Sequence, residues 1–257
     1  MSSRSLDREG IIDPGKNVTK TKIDKLGERL RKGDDTEDDL KSLDVYRRSF
    51  GNAYEIVVGT IRQELALEPT GRPAKSTTAL VEKLRRESIR LTQVQDIAGC
   101  RVIVADITEQ ERVVVSLKNL FIGSTVVDRR ENPSYGYRAV HVIVSCEGKL
   151  IEIQVRTLLQ HQWAELSEKF SDLIDPAIKY GGGNELVQSV LSETSEVIAE
   201  TETIEATLAE ILRRPVFNDD AIKKQLADLR AALGSAKQRI TNELQNAIAR
   251  LETRSKK

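Results

Sequence analysis

The chain has 257 residues, enough for one large domain or a medium domain with an appendage. Its 40 Lys+Arg balance 40 Asp+Glu. That balance excludes a global positive field drawing it to nucleic acid or a membrane surface, and leaves local basic patches.

In chain order, residues 1–40 are polar, and residues 1–16 show no apolar run of leader type, so no leader is expected there. They predict a mobile arm with one short helix near 23–32. Residues 43–67 read as helix, because Val45, Phe50, Ile56, Val57 and Ile61 recur at near-helical spacing. Pro69, Gly71 and Pro73 make 68–75 a loop. Residues 76–90 read as an amphipathic helix. Leu80, Leu84 and Ile89 face inward, and Lys83, Arg85, Arg86 and Arg90 form a basic cluster.

The middle is strand-rich. Residues 100–105 (CRVIVA) suit a buried strand. A helix is expected over 109–121 and a strand over 125–128. Residues 138–145 (RAVHVIVS) and 150–157 (LIEIQVRT) flank a short glycine-containing turn, a hairpin signal. Residues 158–173 return to helix. Helices interleaved with strands predict an α+β fold, a mixed sheet with helices packed on it.

Gly181-Gly182-Gly183 marks a boundary. Beyond it, Leu186, Val190, Val197, Ile204, Leu208 and Ile211 predict one long helix, broken at Arg214-Pro215. Ile222, Leu226, Leu229 and Leu233, then Ile240, Leu244, Ile248 and Leu251, form a stripe of coiled-coil type. The stripe must be buried against its hairpin partner, the catalytic domain or a second copy. The expected division is a polar arm (1–40), a catalytic domain (41–180) and a helical region (184–257). No apolar run approaches the ~20 residues of a membrane span, so no membrane partner and a cytoplasmic location are expected.

Two cysteines, Cys100 and Cys146, sit in or beside apolar runs and read as buried free thiols. No CxxC pair supports zinc. Only His141 and His161 occur, which excludes a metal-dependent hydrolase built on several His and Asp ligands.

Alternation over 150–157 puts Ile151, Ile153 and Val155 on one face and Glu152, Gln154 and Arg156 on the other. Tyr137, Ala139 and His141 share a face of the preceding strand. An aromatic ring and an imidazole beside an acid–amide–guanidinium strip make a floor for a nucleotide, or a polar face with a satisfied histidine. Asp96 enters the strand at 100–105, where a carboxylate is placed to reach magnesium. The basic residues Arg72, Lys75, Lys83, Arg85, Arg86, Arg90 and Arg101 include cations of the kind that transfer from a triphosphate requires, though helical Lys and Arg are usually solvated and Arg85 and Arg90 are read so. Lacking a GxxxxGK[ST] loop, any ATP site is built from side chains.

The segments DIAGCRVIV (96–104), GYRAVH (136–141) and EIQVRT (152–157), followed by His161-Gln162-Trp163-Ala164-Glu165, resemble the synthetase domain of the RelA/SpoT superfamily. Their order and spacing agree over roughly 45–180. Length and the missing hydrolase histidines make the likeness one to a small alarmone synthetase. The resemblance implies a nucleotidyltransferase-like mixed sheet flanked by helices, here with a long helical C-terminal extension.

It also implies that Asp96 and Glu152 are catalytic and hold Mg2+, with Glu152 activating the acceptor hydroxyl. Tyr137 would stack on the acceptor's guanine, with His141, Gln154 and Arg156 shaping that pocket. Arg72, Lys75, Lys83 and Arg101 would bind ATP. The family reads Arg-x-Lys, then Ser, then Lys four residues on. Here Arg72 and Lys75 are three apart, and Ala79 stands four before Lys83.

The implied reaction is transfer of the β,γ-pyrophosphate of ATP to the ribose 3′-hydroxyl of GDP or GTP. Members of the superfamily that modify the 3′ end of tRNA, with an antitoxin partner, offer a second reading, and an adenosine acceptor a smaller variant. A non-catalytic scaffold whose C-terminal helices bind a partner, or join copies into a homo-oligomer, is the reading from another class.

Overall fold

The computed structural model describes residues 19–213 and 220–255. Eight α-helices and five strands follow in the order α1 (Lys20–Lys32), α2 (Glu37–Arg48), α3 (Gly51–Leu65), β1 (Thr70–Arg72), α4 (Thr77–Arg86), β2 (Ala98–Val104), α5 (Ile107–Leu120), β3 (Thr125–Asp128), β4 (Val140–Cys146), β5 (Lys149–Thr157), α6 (Leu158–Leu173), α7 (Glu185–Arg213) and α8 (Asp220–Ser255). The strands form one mixed sheet in the order β1-β2-β5-β4-β3. The fold is α+β with helices after the sheet. The residues group into two compact units: those up to Cys100 with Ile143–Ile153, and Arg101–Val142 with those from Gln154 onward.

In the first unit, α1 is longer than the short helix expected within the arm, and Ile23, Leu26 and Leu30 are buried. It packs on α4 and on the short helical turn Leu91–Gln93. Gly27 allows the approach, because a Cβ there would lie 2.7 Å from Leu91 Cβ. Asp24 accepts from the backbone and hydroxyl of Thr92 at 3.1 and 2.7 Å. Arg29 grips the buried Asp39 with two hydrogen bonds, 2.9 and 2.6 Å, and Asp39 closes a capping box with Thr36 at the start of α2. Residues 1–18 of the expected arm lie outside the described residues.

The single helix expected over 43–67 is two. Ser49 Oγ donates to the Tyr46 carbonyl at 2.6 Å and Gly51 follows, ending α2 before α3 begins. Ile56, on the expected inner face, is exposed, while Phe50, Val57 and Ile61 are buried. The expected loop at 68–75 contains the short strand β1, and α4 stops at Arg86. The β4–β5 turn is two residues, Glu147 and Gly148, both at positive φ (48° and 72°), the backbone of a tight hairpin turn. Lys149 pins it with its ammonium over Tyr46 and Phe50 and a 2.8 Å bond to Ser49 Oγ.

In the second unit, Leu159, Trp163, Leu166, Ile178, Leu191, Ile198 and Leu244 form one core joining α6, α7 and α8. The second half of the C-terminal stripe, Ile240, Leu244, Ile248 and Leu251, packs here. In its first half, Ile222 and Leu229 are exposed. One helix does span the segment after the glycines. Of the apolar residues that predict it, Leu208 is buried while Leu186, Val190, Val197 and Ile204 are exposed. The face turned inward carries Leu191, Ser195, Ile198, Thr201 and Glu202.

The polar members of that face have partners. Glu202, 5% exposed, accepts from Thr157 Oγ1 at 2.5 Å and Gln160 Nε2 at 2.9 and 3.0 Å. Burial raises its carboxyl above the ordinary value, against those bonds. Gln160 also accepts from Gln110, which donates to the Val155 carbonyl.

Candidate functional site

Within the first unit, Asp96 lies just before β2 with a lysine on each carboxylate oxygen. Lys75 Nζ is 2.7 Å from Oδ2 and Lys83 Nζ is 2.9 Å from Oδ1. Local structure explains the convergence. The Lys75 amide donates to the Ile97 carbonyl at 2.6 Å, pinning it beside the Asp96 backbone. Ser76 caps α4 through the Ala79 amide at 3.2 Å, and buried Leu80 and Leu84 fix the helix face carrying Lys83. Burial alone would raise the Asp96 carboxyl, but the two ammonium groups override it and bring it down to about 2. Asp96 is therefore ionised across the physiological range.

Glu152 stands on β5 between Ile151 and Ile153, both fully buried. Gly99 on β2 lets that strand approach closely, since a Cβ there would lie 2.8 Å from the Glu152 carbonyl oxygen and 3.3 Å from its Cβ. Burial and the neighbouring Glu152 charge push the Cys100 thiol up to about 12, so it is a packing residue. Cys146 is half-buried at the end of β4, not buried as expected. Arg72 is exposed on β1.

Within the second unit, Tyr137, His141, Gln154 and Arg156 share one hydrogen-bonded group. Arg156 Nη2 donates to Tyr137 Oη at 3.0 Å and to Gln154 Oε1 at 2.7 Å. Tyr137 Oη is also within hydrogen-bond distance of His141 Nε2, 2.8 Å away. The Arg156 guanidinium carbon lies 5.0 Å from the Tyr137 ring centre, and the His141 ring meets it edge-on.

Arg101, grouped by sequence with the ATP residues, donates to His161 Nδ1 at 3.2 Å. Burial, then Arg101 and Arg156, push His161 down to about 4, so it is neutral and accepts that bond. Its Nε2 faces Glu165 at 3.5 Å. Burial and Arg156 likewise lower Arg101. The Nε atoms of Arg101 and Arg156 are buried with no hydrogen-bond partner among the described residues. His161 carried no assigned role in the sequence reading. Its place in the His161–Glu165 run was the signal available.

Residues 71–171 match the model described as a region found in RelA / SpoT proteins. The GTP pyrophosphokinase YjbM of Bacillus subtilis is 32% identical over 164 residues, which is 54% of this chain and 75% of that protein. The chain belongs to the RelA/SpoT family.

An uncharacterised protein of Mycobacterium tuberculosis is 40% identical over 112 residues, 42% of this chain and 41% of that protein. The chain thus spans about two fifths of the length of the mycobacterial relatives it matches. Among solved structures, small alarmone synthetase 1 from Bacillus subtilis has a TM-score of 0.51 at 25% identity, covering 64% of this chain and 96% of that one. The same enzyme bound to its product pppGpp has a TM-score of 0.50 at 25% identity, covering 63% and 95%. None of the described helices is long and apolar enough to cross a membrane.

The donor set of this RelA/SpoT chain suits magnesium. Asp96 offers ionised, hard oxygens already facing cationic groups, and Glu152 offers a second carboxylate. No group of three His, Cys, Asp or Glu converges among the described residues. A bound Mg2+ would therefore complete its shell with water and phosphate oxygens, as that ion commonly does at phosphate-transfer sites.

Proposed function

We propose that the protein transfers the β,γ-pyrophosphate of ATP to the ribose 3′-hydroxyl of GDP or GTP, releasing AMP. The observation that carries this is Asp96 held between Lys75 and Lys83. A carboxylate flanked by two ammonium groups is what a metal-bound triphosphate requires, one anion for the cation and two cations for the phosphates. The relatives named GTP pyrophosphokinase and the family membership support the same reading.

In the reaction, the acceptor's 3′-oxygen forms a bond to the β-phosphorus. The bond from that phosphorus to the oxygen bridging to the α-phosphate breaks, and AMP departs with that oxygen and its electron pair. Glu152 orients the hydroxyl and takes its proton. Lys75 and Lys83 pass from Asp96 to the phosphate oxygens. Asp96 and Glu152 would hold Mg2+, which would supply charge neutralisation on the phosphates. Tyr137 stacks the acceptor base, with His141, Gln154 and Arg156 fixing its ring and rim. Arg101, oriented by neutral His161, joins Arg72 on the ATP side. Positioning and charge neutralisation carry the catalysis.

The test is product analysis with γ-labelled ATP, offering GDP, GTP, ATP and deacylated tRNA in parallel to the wild type and Glu152→Gln. Label on GDP or GTP that vanishes in the variant supports the proposal. Label on tRNA alone replaces the acceptor, and no transfer to anything removes the activity.

A further inference from the structure

Tyr137 sits at the end of a turn whose backbone is unusual. Tyr135 and Gly136 both have positive φ, 54° and 85°, and Tyr137 N donates to the Ser134 carbonyl at 3.0 Å. Left-handed backbone at a tyrosine is unfavourable, so such a turn persists where surrounding structure holds it. The holder is α7, which lies beyond the matched residues 71–171.

Ser195 on α7 is 3% exposed, and its hydroxyl donates to the Gly136 carbonyl at 2.6 Å. The same oxygen accepts from Arg138 Nε at 3.2 Å. Arg138 also donates to the Arg130 carbonyl at 2.8 Å. The hydroxyls of Thr194, Thr201, Thr203 and Thr207 on this helix fold back onto the carbonyl four residues earlier. Ser195 reaches across to another element. The carbonyl four before it, Leu191 O, accepts from Trp163 Nε1 at 2.8 Å. Trp163 in turn closes the space beside Gly136, since a Cβ there would lie 2.7 Å from the indole and 3.3 Å from Ser195 Cβ.

The peptide unit joining Gly136 to Tyr137 is therefore fixed at both ends. Its carbonyl is held by Ser195 and its amide by Ser134. The tyrosine ring departs from that unit, and the ring's hydroxyl is held at the far side by His141 and Arg156.

We infer that Ser195 is a positioning residue for Tyr137, making α7 part of the acceptor side of the enzyme. This rests on the reading of Tyr137 as the acceptor's stacking partner. Releasing the Gly136 carbonyl lets the turn relax, so the ring is no longer set for stacking, while the Asp96 group is untouched.

The test compares full-length wild type, Ser195→Ala and Ser195→Thr in steady-state kinetics, with the acceptor and ATP varied separately. Ser195→Ala is expected to raise the acceptor KM about tenfold, the size of one lost buried hydrogen bond, with the ATP KM changed less than twofold. Ser195→Thr, which keeps the hydroxyl, restores the acceptor KM. Trp163, the single tryptophan, gives a second readout independent of activity. Its emission should shift red and become more accessible to acrylamide in Ser195→Ala, with return in Ser195→Thr.

Acceptor and ATP KM rising together, or unchanged acceptor KM with unchanged Trp163 emission, overturns the inference. If the wild type transfers to no acceptor, the proposed activity has failed, and the Trp163 readout still decides whether Ser195 seats the turn. Should Ser195→Ala fail to fold, Ser195→Cys, of the same shape with a weaker donor, takes its place.

Discussion

Replacing Asp96 with Asn tests the lysine–carboxylate cluster without any substrate. The fold lowers this carboxyl from 3.8 to about 2. A folded value below the unfolded one means stability that is present above pH 4 and is lost as pH falls through 2. The shift corresponds to about 2 kcal/mol at neutral pH. The lysine and aspartate side chains are 16–22% exposed, so solvent screening trims this and does not erase it. The variant also leaves two half-buried ammonium groups facing a neutral amide, a loss of the same sign. Asp96→Asn should therefore unfold at lower urea at pH 7, with a melting temperature lower by roughly 4–8 °C for a chain of this size. The gap to wild type should close as pH is lowered from 4 toward 2. The assay is urea denaturation followed by circular dichroism at pH 7, 4 and 2.5. A variant as stable as wild type at pH 7, or more stable, would refute the reasoning, because it would mean that the two lysines do not hold the carboxylate in the free protein.

Four further outcomes follow from the same geometry. Glu152→Gln should cut pyrophosphate transfer by about 10²–10⁴ while ATP binding persists, measured by label transfer and equilibrium titration. Gly99→Ala should cost about 1–3 kcal/mol and depress transfer, because its Cβ meets the Glu152 backbone at 2.8 Å and forces β2 from β5; thermal melts beside activity check this. His161 is held neutral at about 4 by burial and by Arg101 and Arg156, with Glu165 and Glu168 the nearby acids, so stability intact above pH 6.5 should fall by roughly 3 kcal/mol between pH 6.5 and 4; His161→Gln should flatten that slope in urea titrations. A chain ending at Gly183 should aggregate, because Leu159, Trp163 and Leu166 would lose Leu191, Ile198 and Leu244; soluble yield after expression reports it.

Strands β2 to β5 were legible because their chemistry is simple, while β1 lay inside an expected loop. CRVIVA and LIEIQVRT alternate or run apolar over short lengths, and Ile151, Ile153 and Val155 are all fully buried. Tyr137 was read by parity as sharing a strand face with His141, but β4 begins at Val140 and Tyr137 reaches His141 from the turn before it. The pairing of Lys75 and Lys83 on Asp96 was not legible, since nothing in a residue spacing says which carboxylate two distant lysines will share. The inner face of α7 was not legible for a physical reason. Leu186, Val190, Val197 and Ile204 marked the helix but are exposed, and the helix turns Ser195, Thr201 and Glu202 inward. Periodicity rewards hydrophobicity, and an inner face whose task is to hold a carbonyl and a polar network carries little of that signal. The α2–α3 break was hidden for a similar reason. Its cause is one serine hydroxyl competing for a backbone carbonyl.

The charge balance can now be weighed against the proposed activity. Equal numbers of acids and bases weakly disfavour a polyanionic substrate when charge is spread evenly. It is not spread evenly here. Lys75 and Lys83 are held on one carboxylate. Arg101 donates to the neutral His161, and Arg101 and Arg156 each keep one buried donor without a partner among the described residues. Cations ordered in advance cost less to reorganise when phosphate charge arrives than cations free on a surface. The acids that cancel these cations in the total, such as Glu193, Glu196 and Glu200 along α7, lie exposed on a different element. A formal charge of zero is thus compatible with two strongly cationic groups, because the sum says nothing about where the charges stand.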